Sequence, residues 1–374
     1  MSIKAFGLIY SGEDNPFLRD LTSSRCVAAV PFGGRYRCID FILSNLVNSG
    51  ITSVGLITQK NYHSIMDHLG SGKEWDLHRK REGLFILPPF LTKESPGLYR
   101  GSVDAIRSCL GYVNRCSEPY CILSGSHTVF NMTFQNALKY HVDNGADVTI
   151  IYNDVDLSIQ REQNKDIRLD LDEDGRIVGM ELDPYPPHSI HRSMDVMIIG
   201  KQLLEYLIED AYSRGEYSFN RDVLLKNYKS LRMFGYPYSG YVARLDSIND
   251  YFRHNMDLLS SDIRADLFNR DHAIYTKVKD EVSTKYSDKA DVHDSLLADG
   301  CNISGSVSHS ILFRGVSIGN NSSVRNSIIM QGVKIGDNCT LDHVIMDKGC
   351  IVQNGRSLTG YDSYPILIRK STVV

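Results

Sequence analysis

The chain has 374 residues, more than one ordinary domain holds, so two domains are expected. It is 42% hydrophobic and 23% charged, as globular proteins are, and 41 Lys plus Arg against 45 Asp plus Glu exclude a broad basic surface for nucleic acid. No apolar run reaches membrane-spanning length, the start lacks a signal-peptide pattern, and the eight cysteines form no C-x-x-C pair. We therefore expect a cytoplasmic protein with no nucleic-acid or membrane partner.

Residues 1–260 alternate strand-like apolar runs with segments of helical periodicity. Strands are predicted at Ala5–Tyr10, Ser53–Thr58, Tyr120–Leu123 and Asp147–Tyr152, and helices at Asp40–Asn48, Phe134–Asn144 and Ile248–Leu259. This alternation predicts an α/β domain with a mainly parallel sheet between helices. Ligands of such sheets bind beyond the carboxyl ends of the strands, which points to the loops after Tyr10, Thr58 and Leu123.

Residues 295–374 show a different period, with aliphatic residues recurring every six positions. The three runs are Leu312, Ile318 and Val324; Ile329, Ile335 and Leu341; and Ile345 and Ile351. A period of six fits a triangular solenoid in which each hexapeptide forms one short strand and one corner. The segment predicts roughly three coils of three hexapeptides. The irregular, charged stretch 261–294 is predicted to be a linker.

Motifs rich in Gly and Arg follow the first strand. The segment Pro31-Phe-Gly-Gly-Arg-Tyr-Arg37 offers backbone N–H groups and guanidinium groups that suit a phosphate. With Tyr99-Arg-Gly-Ser-Val-Asp-Ala-Ile106 and Ile122-Leu-Ser-Gly-Ser-His127 in matching order, it resembles the ADP-glucose pyrophosphorylases, or glucose-1-phosphate adenylyltransferases. The resemblance implies a Rossmann-like nucleotidyltransferase domain with a mainly parallel mixed sheet, followed by a left-handed β-helix. It also implies a reaction, aided by Mg²⁺, that makes ADP-glucose and pyrophosphate from ATP and glucose 1-phosphate for glycogen synthesis.

Four positions depart from the charged groups that the resemblance would place there. Val27 stands in place of a phosphate-binding Lys, and Asp183 in place of a Lys that holds the sugar phosphate. Ser126 and Arg244 stand in place of two Asp residues that hold the metal. Two unit charges 4 Å apart interact by roughly 4 kcal/mol at an effective dielectric of 20, so a guanidinium strongly opposes a divalent ion. We therefore predict no catalytic residue, no metal site and no cofactor in this chain.

The expected nucleotide pocket is reduced to a remnant. The first loop, Ser11-Gly-Glu-Asp-Asn-Pro-Phe-Leu18, has one glycine and two acidic residues where the family has a glycine-rich phosphate loop with an Arg. The residues expected to form what is left of the pocket are Gly12, Gln59, Gly101, Ser102 and Gly125.

Within the family, these departures resemble the GlgD-type subunit, a non-catalytic or weakly active partner of the catalytic GlgC-type subunit. We expect a regulatory subunit that forms homo-oligomers or joins a catalytic GlgC-type homologue in a heterotetramer. The resemblance places Arg25 and Arg37 in an effector-binding region between the domains, and Arg35 is a third candidate for binding a phosphorylated effector. The alternative is that these arginines only pair with carboxylates such as Asp40.

Two other functions stay open at this point. The first is a self-sufficient sugar-1-phosphate nucleotidyltransferase with an atypical active site. The second is an acyltransferase, because many hexapeptide-repeat proteins use a histidine as base, and His309 and His343 lie in the repeats. A Walker-type role for Lys73 and a metal site at His188 and His191 are not expected, because the required spacing and a third ligand are missing.

Overall fold

The computed structural model describes residues 3–11, 15–89, 98–157 and 166–374. In the α/β domain the described strands are β1 (Ala5–Ser11), β2 (Pro31–Phe32), β3 (Tyr36–Arg37), β4 (Ser53–Thr58), β5 (Gly83–Leu87), β6 (Tyr120–Ser124), β7 (Thr128–Val129), β8 (Val148–Asp154), β9 (Ile167–Leu171), β10 (Ile177–Leu182), β11 (His191–Gly200), β12 (Met233–Pro237) and β13 (Ala243–Arg244). The α-helices are α1 (Cys38–Asn48), α2 (His63–Leu69), α3 (Ser102–Ser108), α4 (Leu110–Arg115), α5 (Gln135–Asp143), α6 (Lys201–Ser213), α7 (Leu225–Asn227), α8 (Ile248–Met256) and α9 (Ser261–Leu267). Short 3₁₀ segments lie at Pro16–Thr22, Val27–Ala29, Lys73–Trp75 and Asp257–Leu259, and a π-helical turn at Phe219–Leu224.

A nine-stranded mixed sheet forms the centre of this domain. Strands β5, β4, β1 and β6 run parallel, β11 runs antiparallel to β6 and β8, and β12 is parallel to β8. Strands β9 and β10 extend the sheet beside β11. Buried apolar residues lie on both faces of the sheet, which explains why its strands are continuous apolar runs. The predicted strands and helices are confirmed, with ends that differ by up to two residues, except that α8 ends at Met256 and the predicted stretch to Leu259 continues as a 3₁₀ segment.

The C-terminal region is a parallel β-solenoid with three five-stranded sheets. Its strands are β14 (Lys285–Tyr286), β15 (Asp291–His293), β16 (Leu296–Leu297), β17 (Asn302–Ile303), β18 (Ser306–Ser308), β19 (Ile311–Leu312), β20 (Ser317–Ile318), β21 (Ser323–Arg325), β22 (Ile328–Ile329), β23 (Lys334–Ile335), β24 (Thr340–Asp342), β25 (Val344–Met346), β26 (Ile351–Val352), β27 (Ser357–Thr359) and β28 (Ile366–Ile368). Every third strand joins the same sheet, so the chain makes one triangular coil per three strands. Six of the eight aliphatic residues of the six-residue period point into the core between the sheets. In the third run, Ile345 packs instead against the α/β domain and Ile351 is 43% exposed, so that run does not mark inward positions.

Two further details of the predicted solenoid are wrong. It has five coils rather than three, and it begins at Lys285, inside the segment 261–294 that was predicted to be a linker and that also contains α9. The first coil escaped the six-residue pattern because Tyr286 occupies the position that Ile303 and Ile318 fill in the next two coils. Tyr286 is 52% exposed at the end of the solenoid, where an aliphatic residue would be only partly covered.

The corners of the solenoid repeat a left-handed backbone conformation in every coil. Residues with φ between 44° and 76° form three columns, namely Gly300, Gly315, Gly332 and Gly349; Asn321, Asn338 and Gly355; and Asp294, His309, Asn326 and His343. Gly and Asn adopt this conformation at low cost, and His is also enriched in it. Side chains of successive coils bond along the columns, as when Asp337 accepts the Asn320 N–H.

The two domains share one hydrophobic core. Phe32, Phe41 and Tyr251 of the α/β domain pack in the same cluster as Phe313 and Met330 of the solenoid. The sheet that contains β16, β19, β22, β25 and β28 therefore faces the α/β domain. Within the described residues, no helix has both the length and the apolar content needed to cross a membrane.

Candidate functional site

A cavity of about 850 Å³ lies at the carboxyl ends of β1, β4 and β6, where the sequence predicts the ligand site. Eight of the predicted positions line it, namely Val27, Gln59, Gly101, Ser102, Gly125, Ser126, Asp183 and Arg244. Gly12 lies outside the described residues. The fold therefore places the residues of the remnant pocket and the substituted positions in one cavity.

Three residues of the remnant pocket make internal contacts in this structure. The Gln59 amide donates to the Tyr99 carbonyl at 3.1 Å, and the Ser102 hydroxyl accepts the Phe219 N–H at 2.9 Å. A Cβ at Gly101 would overlap the Tyr217 carbonyl, so this position requires glycine for packing alone. The match between these residues and the family motif thus has a structural cause as well as a functional one.

Arg244 lies on the floor of the cavity, close to Ser126. Strand β13 places it there by pairing with β7, which sets Arg244 opposite Thr128, two residues after Ser126. Arg244 is 7% exposed, and its Nη1 donates to the Ser193 carbonyl at 3.2 Å. Its Nε lies 3.0 Å from Asp246 Oδ2, so the guanidinium forms a buried ion pair. The two positions that would hold a metal therefore carry a neutral group and a cation.

Further arginines and carboxylates extend this ion pair into a network. Arg192 Nη2 donates to Asp246 at 2.6 Å, and its Nε contacts Asp166, which also accepts from Arg168 at 2.9 Å. We call Arg168, Arg192, Arg244, Asp166, Asp195 and Asp246 the floor cluster. Burial alone would raise the pKa of Asp246, but Arg244 and Arg192 outweigh burial and hold it well below its usual range. Burial likewise opposes the charge of Arg244, yet the carboxylates keep its pKa above the ordinary value.

The donor set of the floor cluster does not suit a divalent ion. Its three carboxylates lie among three guanidinium groups that cannot lose their protons at working pH. His127 Nδ1 lies 3.8 Å from Asp195 and its Nε2 lies 4.0 Å from Asp246. The imidazole is therefore a fourth basic side chain, after the three arginines, next to carboxylates that already interact within the cluster. A metal would have to displace Arg244 to reach Asp246.

Asp195 owes its place in the cluster to a bulge in β11. The register with β8 shifts between Ser193 and Val196, and Asp195 has φ of 59°, a left-handed conformation that a residue with a Cβ seldom adopts. Its carbonyl accepts the Gly125 N–H at 2.9 Å, and a Cβ at Gly125 would overlap its carboxylate. The bulge thus turns an acidic side chain over the backbone of the Ser124–His127 loop.

Arg25 lies at the boundary between the domains rather than in the cavity floor. It is 2% exposed, and its Nη2 donates to both carboxylate oxygens of Asp347 at 2.9 Å. The pair joins the α/β domain to the solenoid. Among the described residues, Arg25 Nη1 is buried and has no hydrogen-bond partner.

Arg37 and Lys348 complete a group of cations at this boundary. Arg37 Nη1 donates to the Ser64 carbonyl at 2.6 Å, and its backbone N–H donates to Asp40 at 3.0 Å. Burial, and then the charges of Arg37 and Arg25, lower the pKa of Lys348 to about 7, although Asp347 acts in the opposite direction. We call Arg25, Arg37, Lys348 and Asp347 the junction cluster.

The remaining candidates lie elsewhere. Arg35, unlike the buried Arg25, is exposed, and its guanidinium lies 5.7 Å from the centre of the Tyr36 ring. His309 Nδ1 bonds to Asp294 at 2.8 Å, and His343 Nδ1 lies 2.8 Å from Asp342. Both histidines are corner residues with left-handed backbone, which accounts for them without an acyl-transfer role.

Two family models match the chain and divide it as the fold does. The nucleotidyl transferase model matches residues 7–236, and the GlmU-like C-terminal hexapeptide model matches residues 280–364. Among the relatives, the glycogen biosynthesis protein GlgD of Bacillus subtilis (strain 168) is 40% identical over 357 residues, which cover 95% of this chain and 93% of the relative. A glucose-1-phosphate adenylyltransferase of Halalkalibacterium halodurans is 37% identical over 372 residues, 98% of this chain and 96% of the relative.

The chain belongs to the glucose-1-phosphate adenylyltransferase family. A second GlgD protein, from Geobacillus stearothermophilus, is 40% identical over 322 residues, 86% of this chain and 83% of the relative. The predicted fold class, a Rossmann-like nucleotidyltransferase domain followed by a left-handed β-helix, is confirmed by the two family models together with the sheet topology.

Sequence reasoning missed most of the floor cluster. Asp166, Arg192 and Asp195 come from β11 and from the segment before β9, and no short motif links them to β13. The one local signal is Arg244-Leu-Asp246, in which an acidic residue follows the arginine by two positions. A buried cation requires a counter-ion, so this spacing could have identified Asp246 as its partner.

Proposed function

We propose that this chain is a regulatory subunit of a heteromeric glucose-1-phosphate adenylyltransferase in glycogen biosynthesis, with little or no catalytic activity of its own. The observation that carries the proposal is Arg244, whose guanidinium lies between carboxylates on the floor of the cavity. The family reaction joins a sugar phosphate to the α-phosphorus of ATP, and negative charge increases there in the transition state. Such reactions depend on a divalent ion held by free carboxylates, and here arginines engage the carboxylates.

The other walls of the cavity support the same proposal. Val27 gives the phosphates no charge, and the exposed Asp183 lies where a sugar phosphate would need a cation. A phosphate entering the cavity would therefore meet Asp183 at the position of the sugar phosphate and a floor whose positive charges are already paired. Both features oppose binding of a triphosphate more than binding of a neutral molecule.

We propose that the subunit acts on a catalytic GlgC-type homologue, in a heterotetramer or a related assembly. The α/β domain and the solenoid are both present, although the charged groups that the family resemblance places in the cavity are replaced. This is expected where selection maintains the shape of the subunit and its assembly. All eight cysteines are free, which suits a reducing compartment, and we place the assembly in the cytoplasm.

We propose that regulation passes through a phosphorylated effector bound at the junction cluster. Arg25 pairs with Asp347 there, Arg37 lies beside Asp40, and Lys348 adds a third cation. Arg25 Nη1 is left without a partner among the described residues. A phosphate group offers several acceptor oxygens and a negative charge, so it matches this excess of donors. Binding would tie the two domains together, because Arg25 and Lys348 belong to different domains.

The test is a turnover assay of the chain alone and mixed with a catalytic homologue. We expect ADP-glucose formation by the isolated chain, supplied with ATP, glucose 1-phosphate and Mg²⁺, to fall at least about a hundredfold below 1–100 s⁻¹, a range typical of phosphoryl transfer. We expect the mixture to differ from the homologue alone in KM or in its response to sugar phosphates. Turnover by the isolated chain within about tenfold of that range would favour the self-sufficient enzyme instead.

An Arg25→Gln variant serves as the matched control for the effector. It keeps a polar side chain beside Asp347 but removes the charge. We expect mixtures with this variant to lose the response to the phosphorylated effector while still assembling. An unchanged response would contradict an effector site at the junction cluster.

A further inference from the structure

The amine of Lys348 lies in a cationic environment at the boundary between the domains. The residue follows β25, in the sheet that faces the α/β domain, and it is half-buried. The preceding residue, Asp347, accepts from Arg25 through both carboxylate oxygens, and its Oδ1 also accepts the Lys348 backbone N–H at 2.7 Å. Among the residues that the structure describes, no carboxylate forms an ion pair with the Lys348 amine, because Asp347 is engaged by Arg25.

Burial and two guanidinium groups favour the uncharged form of this amine. An ammonium group loses hydration when it is buried, and a positive charge nearby disfavours it further. Both effects act on Lys348 and lower its pKa to about 7, against the opposing charge of Asp347. The charged or titratable groups that interact with this amine are Arg37, Arg25, Asp347, Lys279 and His68. A substantial fraction of Lys348 is therefore a neutral nucleophile near neutral pH.

The junction cluster lacks one negative charge when Lys348 is neutral. Arg25 and Arg37 then carry two positive charges against the single carboxylate of Asp347. Arg25 is 2% exposed, and its Nη1 is buried without a hydrogen-bond partner among the described residues. A buried N–H group without an acceptor is costly, so an anion formed within the cluster would be stabilised by charge and by hydrogen bonding.

We infer that Lys348 is a carbon dioxide site, at which the amine reacts with CO₂ to form a carbamate held by the junction cluster. The Nζ lone pair attacks the carbon of CO₂, an N–C bond forms, one C=O π bond opens onto oxygen, and an amine proton leaves to solvent. The reaction needs no oxidant, reductant or further reactant. The carbamate gives the cluster two positive and two negative charges, and its oxygens are acceptors for guanidinium N–H groups such as Arg25 Nη1.

NMR of the full chain equilibrated with ¹³C-bicarbonate at slightly alkaline pH tests the inference. We expect a carbamate resonance in the wild type that Lys348→Met abolishes and that Lys370→Met, at an exposed position, retains. Arg25→Gln should lower the intensity about tenfold or more at the same CO₂ concentration, because it favours protonation of the amine and removes a partner of the carbamate. Circular dichroism and thermal melting check that each variant is folded.

Chemical trapping of the wild type tests the same site without any substitution. A trialkyloxonium reagent converts the carbamate into a stable ester, and we expect peptide mass spectrometry to find that ester on Lys348. Trapping on exposed lysines without Lys348 would overturn the inference. So would a resonance that persists in Lys348→Met, or one that Arg25→Gln leaves unchanged.

The carbamate would also oppose a phosphate at the junction cluster, because it supplies the negative charge that attracts no second anion. With CO₂ in excess, we expect the apparent Kd of inorganic phosphate for the wild type to rise about tenfold or more. The inference goes beyond the regulatory function and does not rest on it. The NMR and trapping measurements need neither a catalytic homologue nor an effector, so a failure of the kinetic tests would leave their result standing.

Discussion

The floor cluster and the junction cluster are both buried groups of charges, but they differ in charge balance. In the floor cluster three arginines face three aspartates, and the pKa values of Asp246 and Arg244 move in the directions that keep both charged. In the junction cluster Arg25 pairs with Asp347, and burial together with the charges of Arg37 and Arg25 lowers the pKa of Lys348 to about 7. The balanced cluster has no net charge to attract an ion, whereas the cation-rich cluster retains attraction for an anion. By charge alone, the junction cluster therefore suits a phosphate better than the floor cluster does.

The largest expected effect comes from breaking the balance of the floor cluster. Asp246→Ala leaves Arg192 and Arg244 buried with fewer counter-ions, and we expect the free energy of unfolding to fall by about 3–5 kcal/mol. Urea denaturation measures it. The control is Asp280→Ala, an exposed position, with an expected change within about 0.5 kcal/mol. A loss at Asp246 as small as that of the control would mean that the cluster is not held by its ion pairs.

A smaller loss in the free energy of unfolding is expected when Asp347, the single carboxylate of the junction cluster, is neutralised. Asp347→Asn removes the charge that Arg25 contacts through both oxygens, at a cost of about 1.5–3 kcal/mol for hydrogen bonds to a charged group. Inorganic phosphate should raise the melting temperature of this variant more than that of the wild type, because it replaces the lost charge. Asp20→Asn, which loses an exposed pair with Arg369, is the control. Equal phosphate shifts in all three proteins would argue against anion binding at the junction.

Mn²⁺ binding tests whether the ion pairs of the floor cluster exclude a metal ion from the cavity. We expect no specific Mn²⁺ binding by the wild type in calorimetry, because Arg244 blocks access to Asp246. Ser126→Asp combined with Arg244→Asp should create a weak site, worth about 2.7 kcal/mol of added stability at an Mn²⁺ concentration of 100 Kd. Turnover should not return, because Val27 and Asp183 remain. Tight Mn²⁺ binding by the wild type would show that other carboxylates hold the metal.

The smallest expected effect is a pH dependence from Lys348. Its folded-state pKa is about 7, below the ordinary value of 10.5, so between these values the unfolded chain binds a proton that the folded chain does not. Stability contributed at this position therefore rises as pH increases from 7 towards 10. The melting temperature of the wild type relative to Lys348→Met should be higher at pH 9 than at pH 7. The exposed Lys370→Met variant should show no such trend, and a trend of opposite sign for Lys348 would refute a lowered pKa.

The sequence predicted the parts of this molecule that repeat or that lie within one segment. Apolar runs located β1, β4 and β6, and the six-residue period located the core of the solenoid, because both patterns are local consequences of burial. Arg25 and Asp347 are 322 positions apart, and nothing in either neighbourhood indicates that they meet. The same applies to Arg192 and Asp246, 54 positions apart. Pairing of buried charges depends on tertiary folding, so the sequence identified the substituted positions in the cavity but not the groups that balance them.

The closed set of ion pairs on the cavity floor also constrains the evolutionary history of the chain. Replacing Arg244 by an aspartate in one step would bring a fourth carboxylate beside Asp166, Asp195 and Asp246 while removing their largest source of positive charge. An uncompensated buried charge costs about 3–5 kcal/mol, a large share of the stability of a natural protein. Intermediates on a path back to an active enzyme would therefore fold poorly before any activity returned. Under the proposed function, the ion pairs of the floor cluster would make the loss of catalytic activity hard to reverse.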